Sequence, residues 1–243
     1  MQIKIKEWNI NYEVEGEGEP IILLHGWLTD LESMRPLTTN LVKKFKVYLV
    51  DVVGFGKSDL PEEPLNSQDF AEFLQEFMEK LKIENPVLIG HSNGGRIIIN
   101  AVGRKLVKAK KIVLIDSAGI KPHHSASYYV KLAVFKTGKL FLNLLPNTKG
   151  IKEFKEKLRN KVGSSDYKAS PTVLKDTMNI ILKEDVKDLL PNIDVPTLLI
   201  WGSLDTATPI SDAKIMEKLI PDCRISWIPL WNTFLVFREY RKL

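Results

Sequence analysis

Apolar and polar positions along the chain follow two periods that alternate. Residues 2–6 and 9–14 switch apolar and polar one by one, which predicts an antiparallel hairpin. Glu15-Gly16-Glu17-Gly18-Glu19-Pro20 reads as a turn, and Ile21-Ile22-Leu23-Leu24 is a continuous apolar run of the kind found in strands buried on both faces. A short helix is predicted over about 31–43 and a further buried strand over 46–50. Asn66 or Ser67 can cap a helix over about 68–82, whose apolar positions 70, 73, 74, 77, 78 and 81 keep the 3.6-residue period. Pro86 opens a strand through Ile89, and an apolar run then continues as a helix to about 104. Lys111–Asp116, Thr197–Trp201 and Arg224–Ile228 complete the strand pattern, with a helix over about 211–219. Strands alternating with helices predict an α/β fold with a mostly parallel central sheet and helices on both faces. Residues 121–188 interrupt the alternation: they are helical in pattern and contain no clear strand. They are expected to form a helical cap over the C-terminal edge of the sheet, where open α/β sheets bind ligands. The expected division is a core of residues 1–120 and 189–243 with the cap at 121–188.

Composition narrows the class. With 44% hydrophobic and 27% charged residues the 243-residue chain can bury a sizeable core as a folded, soluble protein. No apolar run is long enough for a membrane span, and the N-terminus reads as a strand, not a signal peptide. The single Cys223 excludes an intrachain disulfide and fits a reducing compartment, so the expectation is a cytoplasmic protein. The formal net charge of +5 is uneven, because residues 121–188 hold 13 Lys and one Arg against seven acids. Those lysines are interspersed with acids and apolar residues, which reads as a solvated helical face compatible with attracting anionic substrates, and not as a nucleic-acid-binding surface. No cluster with metal-ligand spacing and no Gly-rich phosphate loop occurs, so neither metal nor organic cofactor is expected.

Candidate chemistry centres on Gly90-His91-Ser92-Asn93-Gly94-Gly95. Gly90-x-Ser92-x-Gly94 between a buried strand and a helix is the pattern of a nucleophile elbow. The sharp strand-to-helix turn forces the serine into an unfavourable backbone conformation, and side chains at the flanking positions would collide. The turn lifts the Ser92 hydroxyl clear of the sheet and sets it at a helix N-terminus, where free N–H groups favour developing negative charge.

Four segments, each placed after a strand, together resemble the α/β-hydrolase family and its small capped members. They are His25-Gly26-Trp27, Asp51-x-x-Gly54-x-Gly56-x-Ser58, the elbow, and Gly202-Ser203-Leu204-Asp205-Thr206-Ala207-Thr208-Pro209. The resemblance implies that Ser92 is the nucleophile, that the backbone N–H groups of Trp27 and Asn93 form the oxyanion hole, and that Asp205 orients the catalytic histidine. Asp116, also at a strand end, is an alternative acid, whereas Asp51 is expected to hold its own Gly-rich loop. A serine at the elbow, where related dehalogenases and epoxide hydrolases carry aspartate, implies acyl transfer to water. The implied partner is a small-molecule acyl or ester substrate, handled by a monomer or homodimer.

One position departs from the family pattern. Matching Ile228-Pro229 and Phe234 to that pattern puts Asn232 on the expected glycine and Thr233 on the expected histidine. The four histidines are His25, in the oxyanion loop, His91, beside Ser92 and facing away from it, and His123 and His124, at the start of the cap. A serine hydroxyl is a poor nucleophile without a base to take its proton, and threonine offers none at neutral pH. Two functions therefore compete. One is a serine hydrolase cleaving a carboxylic ester or similar acyl compound through Ser92, with a cap histidine as possible base. The other is a catalytically weak or inactive hydrolase fold that binds a small hydrophobic ligand. Apolar stretches of the cap around Tyr128, Phe135 and Phe141 fit either core contacts or an acyl pocket.

Overall fold

A computed structural model describes residues 1–121 and 171–229. His123, His124, Thr233 and the apolar stretches around Tyr128, Phe135 and Phe141 lie outside the described residues. The chain divides into two compact units, Met1–Lys121 with Thr172–Leu243, and Pro122–Pro171. Helix Thr172–Ile181, within the segment expected as a cap, belongs to the first unit and puts Leu174 and Ile181 into its core.

Among the described residues, eight strands form one sheet. In chain order they are β1 (Gln2–Ile5), β2 (Trp8–Glu15), β3 (Glu19–Leu24), β4 (Phe45–Val50), β5 (Val87–His91), β6 (Lys111–Ile115), β7 (Thr197–Gly202) and β8 (Cys223–Ile228). Their spatial order is β1-β2-β4-β3-β5-β6-β7-β8. The N-terminal hairpin is antiparallel, with Ile3 opposite Ile10, and β2 joins β4 antiparallel; every later pairing is parallel. The helices among the described residues are α1 (Arg35–Leu41), α2 (Ser67–Lys80), α3 (Asn93–Gly103), α4 (Thr172–Ile181) and α5 (Ile210–Leu219). Short 3₁₀ turns cover Leu31–Ser33, ahead of α1, and Lys187–Asn192. The helix expected over 31–43 is thus split at Met34, because Asp30 caps the first turn and Pro36 restarts the helix at its second position.

The continuous apolar runs become strands buried on both faces because side chains alternate across a sheet. Ile22 and Leu24 of β3, Tyr48 and Val50 of β4 and Leu88 of β5 enter the larger core. Their neighbours Ile21, Leu23, Val47, Leu49 and Ile89 enter the smaller one, with Leu31 and Met34. On the larger side α2 contributes Phe70, Phe73, Leu74 and Phe77, the predicted 3.6-period face. Full burial of each of these side chains is worth roughly 1.5–3 kcal/mol. Asn66 starts α2 as expected, its side chain accepting from the Gln68 and Asp69 N–H groups while Asp69 returns a bond to the Asn66 N–H. Helix α3 is buried along its whole length, packed against β5, α2 and the 3₁₀ turn Lys187–Asn192.

Candidate active site

Ser92 links β5 to α3 with φ 49° and ψ −111°, a conformation that side chains rarely adopt. The flanking glycines explain how this turn closes. A Cβ on Gly90 would lie 2.5 Å from the Gly94 carbonyl carbon and 2.6 Å from the Gly95 nitrogen. A Cβ on Gly94 would collide with the Leu24 carbonyl oxygen at the end of β3. Behind the turn the Ser92 carbonyl accepts from the N–H groups of Gly95 (3.1 Å), Arg96 (3.3 Å) and Ala118 (3.0 Å). The last bond ties the elbow to the loop after β6. No acidic side chain stands in the first turn of α3, so nothing there opposes negative charge gathering at its N-terminus.

The loop after β3 lies against this turn. A Cβ on Gly26 would sit 3.4 Å from the Ser92 Cβ and 2.9 Å from His91 Nδ1, so only glycine lets the loop come this close. Leu28, with φ 55°, turns the chain away again after Trp27. Trp27 packs edge-on against Phe55, with ring centres 4.9 Å apart. Among the described residues, no acceptor is spent on the backbone N–H of Trp27 or Asn93.

His25 holds the same loop from behind. It is buried; the Val52 N–H donates to its Nε2 (3.0 Å), which leaves the proton on Nδ1 to donate to the Gly26 carbonyl (2.8 Å). Both ring nitrogens are therefore committed to joining the loops after β3 and β4, and burial pushes the imidazole below its ordinary pKa. His91 is also buried, its ring against Gly26. Burial, with the neighbouring His25, lowers its pKa to about 4, so it is neutral at physiological pH. Asp51 reaches further than its own Gly-rich loop. Its carboxylate accepts from the N–H groups of Lys57 (2.9 Å) and Leu31 (2.8 Å) and from Asn11 Nδ2 (2.8 Å), joining three segments around the β4 end.

Asp205 lies in the turn after β7, buried, with Oδ1 accepting from the N–H groups of Ala207 (2.7 Å) and Thr208 (2.8 Å). Its Oδ2 is buried and has no donor among the described residues. Asp116, after β6, sits beside it in the positive-φ region at 42°. Its Oδ1 accepts from the Gly202 N–H (2.8 Å), its Oδ2 likewise has no described donor, and Thr208 Oγ1 donates to its carbonyl (3.2 Å). Burial first, then the charge of Asp205, raises the Asp116 pKa to about 6.

Sequence reasoning treated Asp116 and Asp205 as alternatives, whereas the fold sets both at neighbouring strand ends. It also passed over Arg96, four residues after Ser92. Arg96 is buried in α3, donates from Nη1 to the Ile181 carbonyl at the end of α4 (2.7 Å) and has Glu184 and Asp185 as charged neighbours. The signal was there: a lone cation inside the apolar run Gly94–Ile99 has to find acceptors in the interior.

Comparison with known proteins gives the arrangement a context. A family model described as alpha/beta hydrolase fold matches residues 19–226. A pimeloyl-[acyl-carrier protein] methyl ester esterase of Legionella pneumophila is 28% identical over 226 residues, covering 88% of this chain and 87% of that protein. A putative non-heme chloroperoxidase of Synechocystis is 27% identical over 239 residues, covering 91% and 87%. Among solved structures, a bromoperoxidase from Bacillus anthracis superposes with a TM-score of 0.74 at 24% identity, covering 97% of this chain and 93% of its own. A thermophilic esterase from Thermogutta terrifontis also gives 0.74, at 20% identity and 100% and 94% coverage. Among the described residues no helix is long and apolar enough to cross a membrane.

Proposed function

The chain belongs to the alpha/beta hydrolase fold family, and from that membership we propose that it is a serine hydrolase, cleaving a carboxylic ester or similar acyl compound through an acyl-enzyme at Ser92. The observation that carries the reading is the strained Ser92 at the head of α3, with Gly26 packed against it and two N–H groups, of Trp27 and Asn93, without acceptors among the described residues. In this reading Ser92 Oγ attacks the ester carbonyl, and its oxygen gathers negative charge beside those two N–H groups. Donors fixed in advance near a developing oxyanion each contribute about 3–4 kcal/mol to the transition state. The tetrahedral species collapses with loss of the alcohol, and water then releases the acid from Ser92. Among the described residues no donor reaches Asp205 Oδ2, which leaves that oxygen for the N–H of a base and supports its role as the orienting acid. The ester-cleaving relative in Legionella supports the substrate class, and the basic composition of 121–188 favours an acyl group that carries negative charge.

A second reading rests on a specific observation. His25 has both ring nitrogens committed, His91 is buried behind the elbow, and Thr233 stands where the family pattern has histidine. A hydrolase scaffold without its base would bind acyl ligands and turn them over slowly.

Hydrolysis of p-nitrophenyl butyrate by the parent protein, Ser92→Ala and Thr233→His separates the two. Turnover by the parent that disappears in Ser92→Ala supports the hydrolase reading and sends the search for the base to His123 and His124. An inert parent with Ser92-dependent turnover in Thr233→His supports the second reading. Turnover that survives Ser92→Ala overturns the assignment of the nucleophile.

A further inference from the structure

Asp116 directly follows β6 and Asp205 lies in the turn after β7, the adjacent parallel strand, the two strands pairing in register through Ile115 and Ile200. Both carboxyl groups are out of solvent, with Asp116 1% and Asp205 6% exposed. A short chain of bonds joins them: the Gly202 N–H donates to Asp116 Oδ1, the Asp205 N–H donates to the Gly202 carbonyl (3.2 Å), and Thr208, whose N–H serves Asp205, donates its hydroxyl to the Asp116 carbonyl. Each carboxyl thus spends Oδ1 on backbone N–H groups and keeps a buried Oδ2 with no described donor.

Among the described residues, the groups that could neutralise two buried anions here are uncharged or engaged elsewhere. On β5, His91 is neutral, as is the neighbouring His25, whose Nε2 accepts from the Val52 N–H. On α3, the Arg96 guanidinium donates to Ile181, near Glu184 and Asp185. The charge acting on Asp116 is that of Asp205. Two carboxylates close together in a poorly solvated site do not both ionise readily.

We propose that Asp116 and Asp205 form a coupled carboxyl pair that holds one proton between them, Asp116 being the member that carries it, so that Asp116 is a positioning residue setting the charge presented to the base. The proton comes from solvent and is released to it, with no other bond made or broken. Below the release point the pair offers one negative charge; above it, two, and an imidazolium oriented there becomes harder to deprotonate. This extends the reading of Asp205 as the acid of the site. Its test counts protons instead of turnover, so failure of one reading is told apart from failure of the other.

The experiment has two arms. In the first, denaturant unfolding is followed from pH 4 to 8 for the parent, Asp116→Asn, Asp205→Asn and the double variant. Asparagine keeps the acceptor for the Gly202 N–H and mimics the protonated acid. Because the folded-state pKa of Asp116 lies above its unfolded value, the stability contributed by its protonation is lost as pH rises from about 4 to about 6, on top of the opposite contribution of the buried histidines, which the parent and the variants share. Asp116→Asn is expected to match the parent near pH 4 and, above pH 6, to unfold with an equilibrium constant up to about a hundredfold smaller. That gain should shrink in the Asp205→Asn background. A difference that is independent of pH, or equal in both backgrounds, overturns the proposal. In the second arm, which needs no folded Asp116 variant, the Asp116 carboxyl carbon is titrated by NMR in the parent and in Asp205→Asn. A midpoint near 6 that falls when Asp205 is neutral supports the pair. A midpoint in the ordinary carboxylate range, or one unmoved by Asp205→Asn, refutes it.

Discussion

Replacing Gly94 with alanine tests the packing that builds the elbow. Gly94 lies in the first turn of α3, and its φ is not in the left-handed region, so an added methyl brings no backbone strain of its own. In an exposed helix the change would stabilise by about 1 kcal/mol. Here the new Cβ meets the Leu24 carbonyl oxygen, sits 2.7 Å from the Leu24 carbonyl carbon and 2.8 Å from the His25 oxygen. All three are backbone atoms at the end of a central strand and cannot rotate away. Overpacking of a close-packed interior costs about 1–3 kcal/mol, and a clash against fixed backbone belongs at the upper end. Net destabilisation of roughly 2–3 kcal/mol is expected, which for a chain of this size lowers Tm by roughly 4–12 °C. The cheapest relief moves the head of α3 away from β3, which also separates Ser92 from the Trp27 N–H. A displacement of about 1 Å in a reacting group can cost about a hundredfold in rate. Thermal unfolding, with p-nitrophenyl butyrate turnover beside it, reads both effects. A Tm equal to or above the parent's would show that the helix head has room for a methyl, and the account of why Gly94 is glycine would fail.

Asp51→Asn should be costly although nearly isosteric, because one of its two acceptor positions becomes a donor facing the N–H of Leu31 or of Lys57. A loss of about 2–4 kcal/mol in urea unfolding is expected, and a loss under 0.5 kcal/mol would mean that the three-segment junction is not under its control. The buried histidines make the fold acid-labile. Their folded-state pKa values lie below the unfolded value, so the stability they permit is complete above about pH 6.5 and is lost as pH falls through that value, for His91 down to about 4. At pH 4.5 the His91 contribution alone amounts to roughly 3 kcal/mol, opposed in part by Asp116 gaining its proton, and His91→Gln should flatten the pH profile below 6. An unchanged slope would place His91 in solvent. Arg96→Met should free the Ile181 carbonyl while filling the same volume, lowering Tm and exposing the α4 end to hydrogen exchange well before the sheet; exchange that rises everywhere together would refute a local anchor.

How much of this was legible depends on how far apart in the chain the interacting residues lie. The elbow was readable because its determinants fall within six consecutive residues and their constraint is steric: glycines at 90 and 94 mean a turn too tight for side chains. The apolar runs of β3, β4 and β5 predicted strands buried on both faces, and the odd–even division between two cores follows from that period. The split of the helix at Met34 depended on Asp30 capping a single turn, a local cue outweighed by the longer apolar pattern. The Asp116–Asp205 pair could not be seen, because parallel pairing of β6 with β7 unites residues 89 positions apart and nothing local marks either carboxyl as buried. The same holds for Arg96 and Ile181, and for Asp51, whose loop role was evident from its neighbours but whose bonds to Asn11 and Leu31 come from other strands.

The central claim, that Ser92 is a nucleophile poised for acyl transfer, is tested most directly by irreversible trapping. A fluorophosphonate reacts at an activated serine and leaves a stable adduct, so even slow attack accumulates over hours; a site lacking one triad member retains about 10³–10⁴-fold catalysis over water. Peptide mapping of the parent protein by mass spectrometry at pH 8, beside Ser92→Ala, should find the adduct on Ser92 and nowhere else. An unlabelled Ser92, or labelling that persists in Ser92→Ala, would contradict the account.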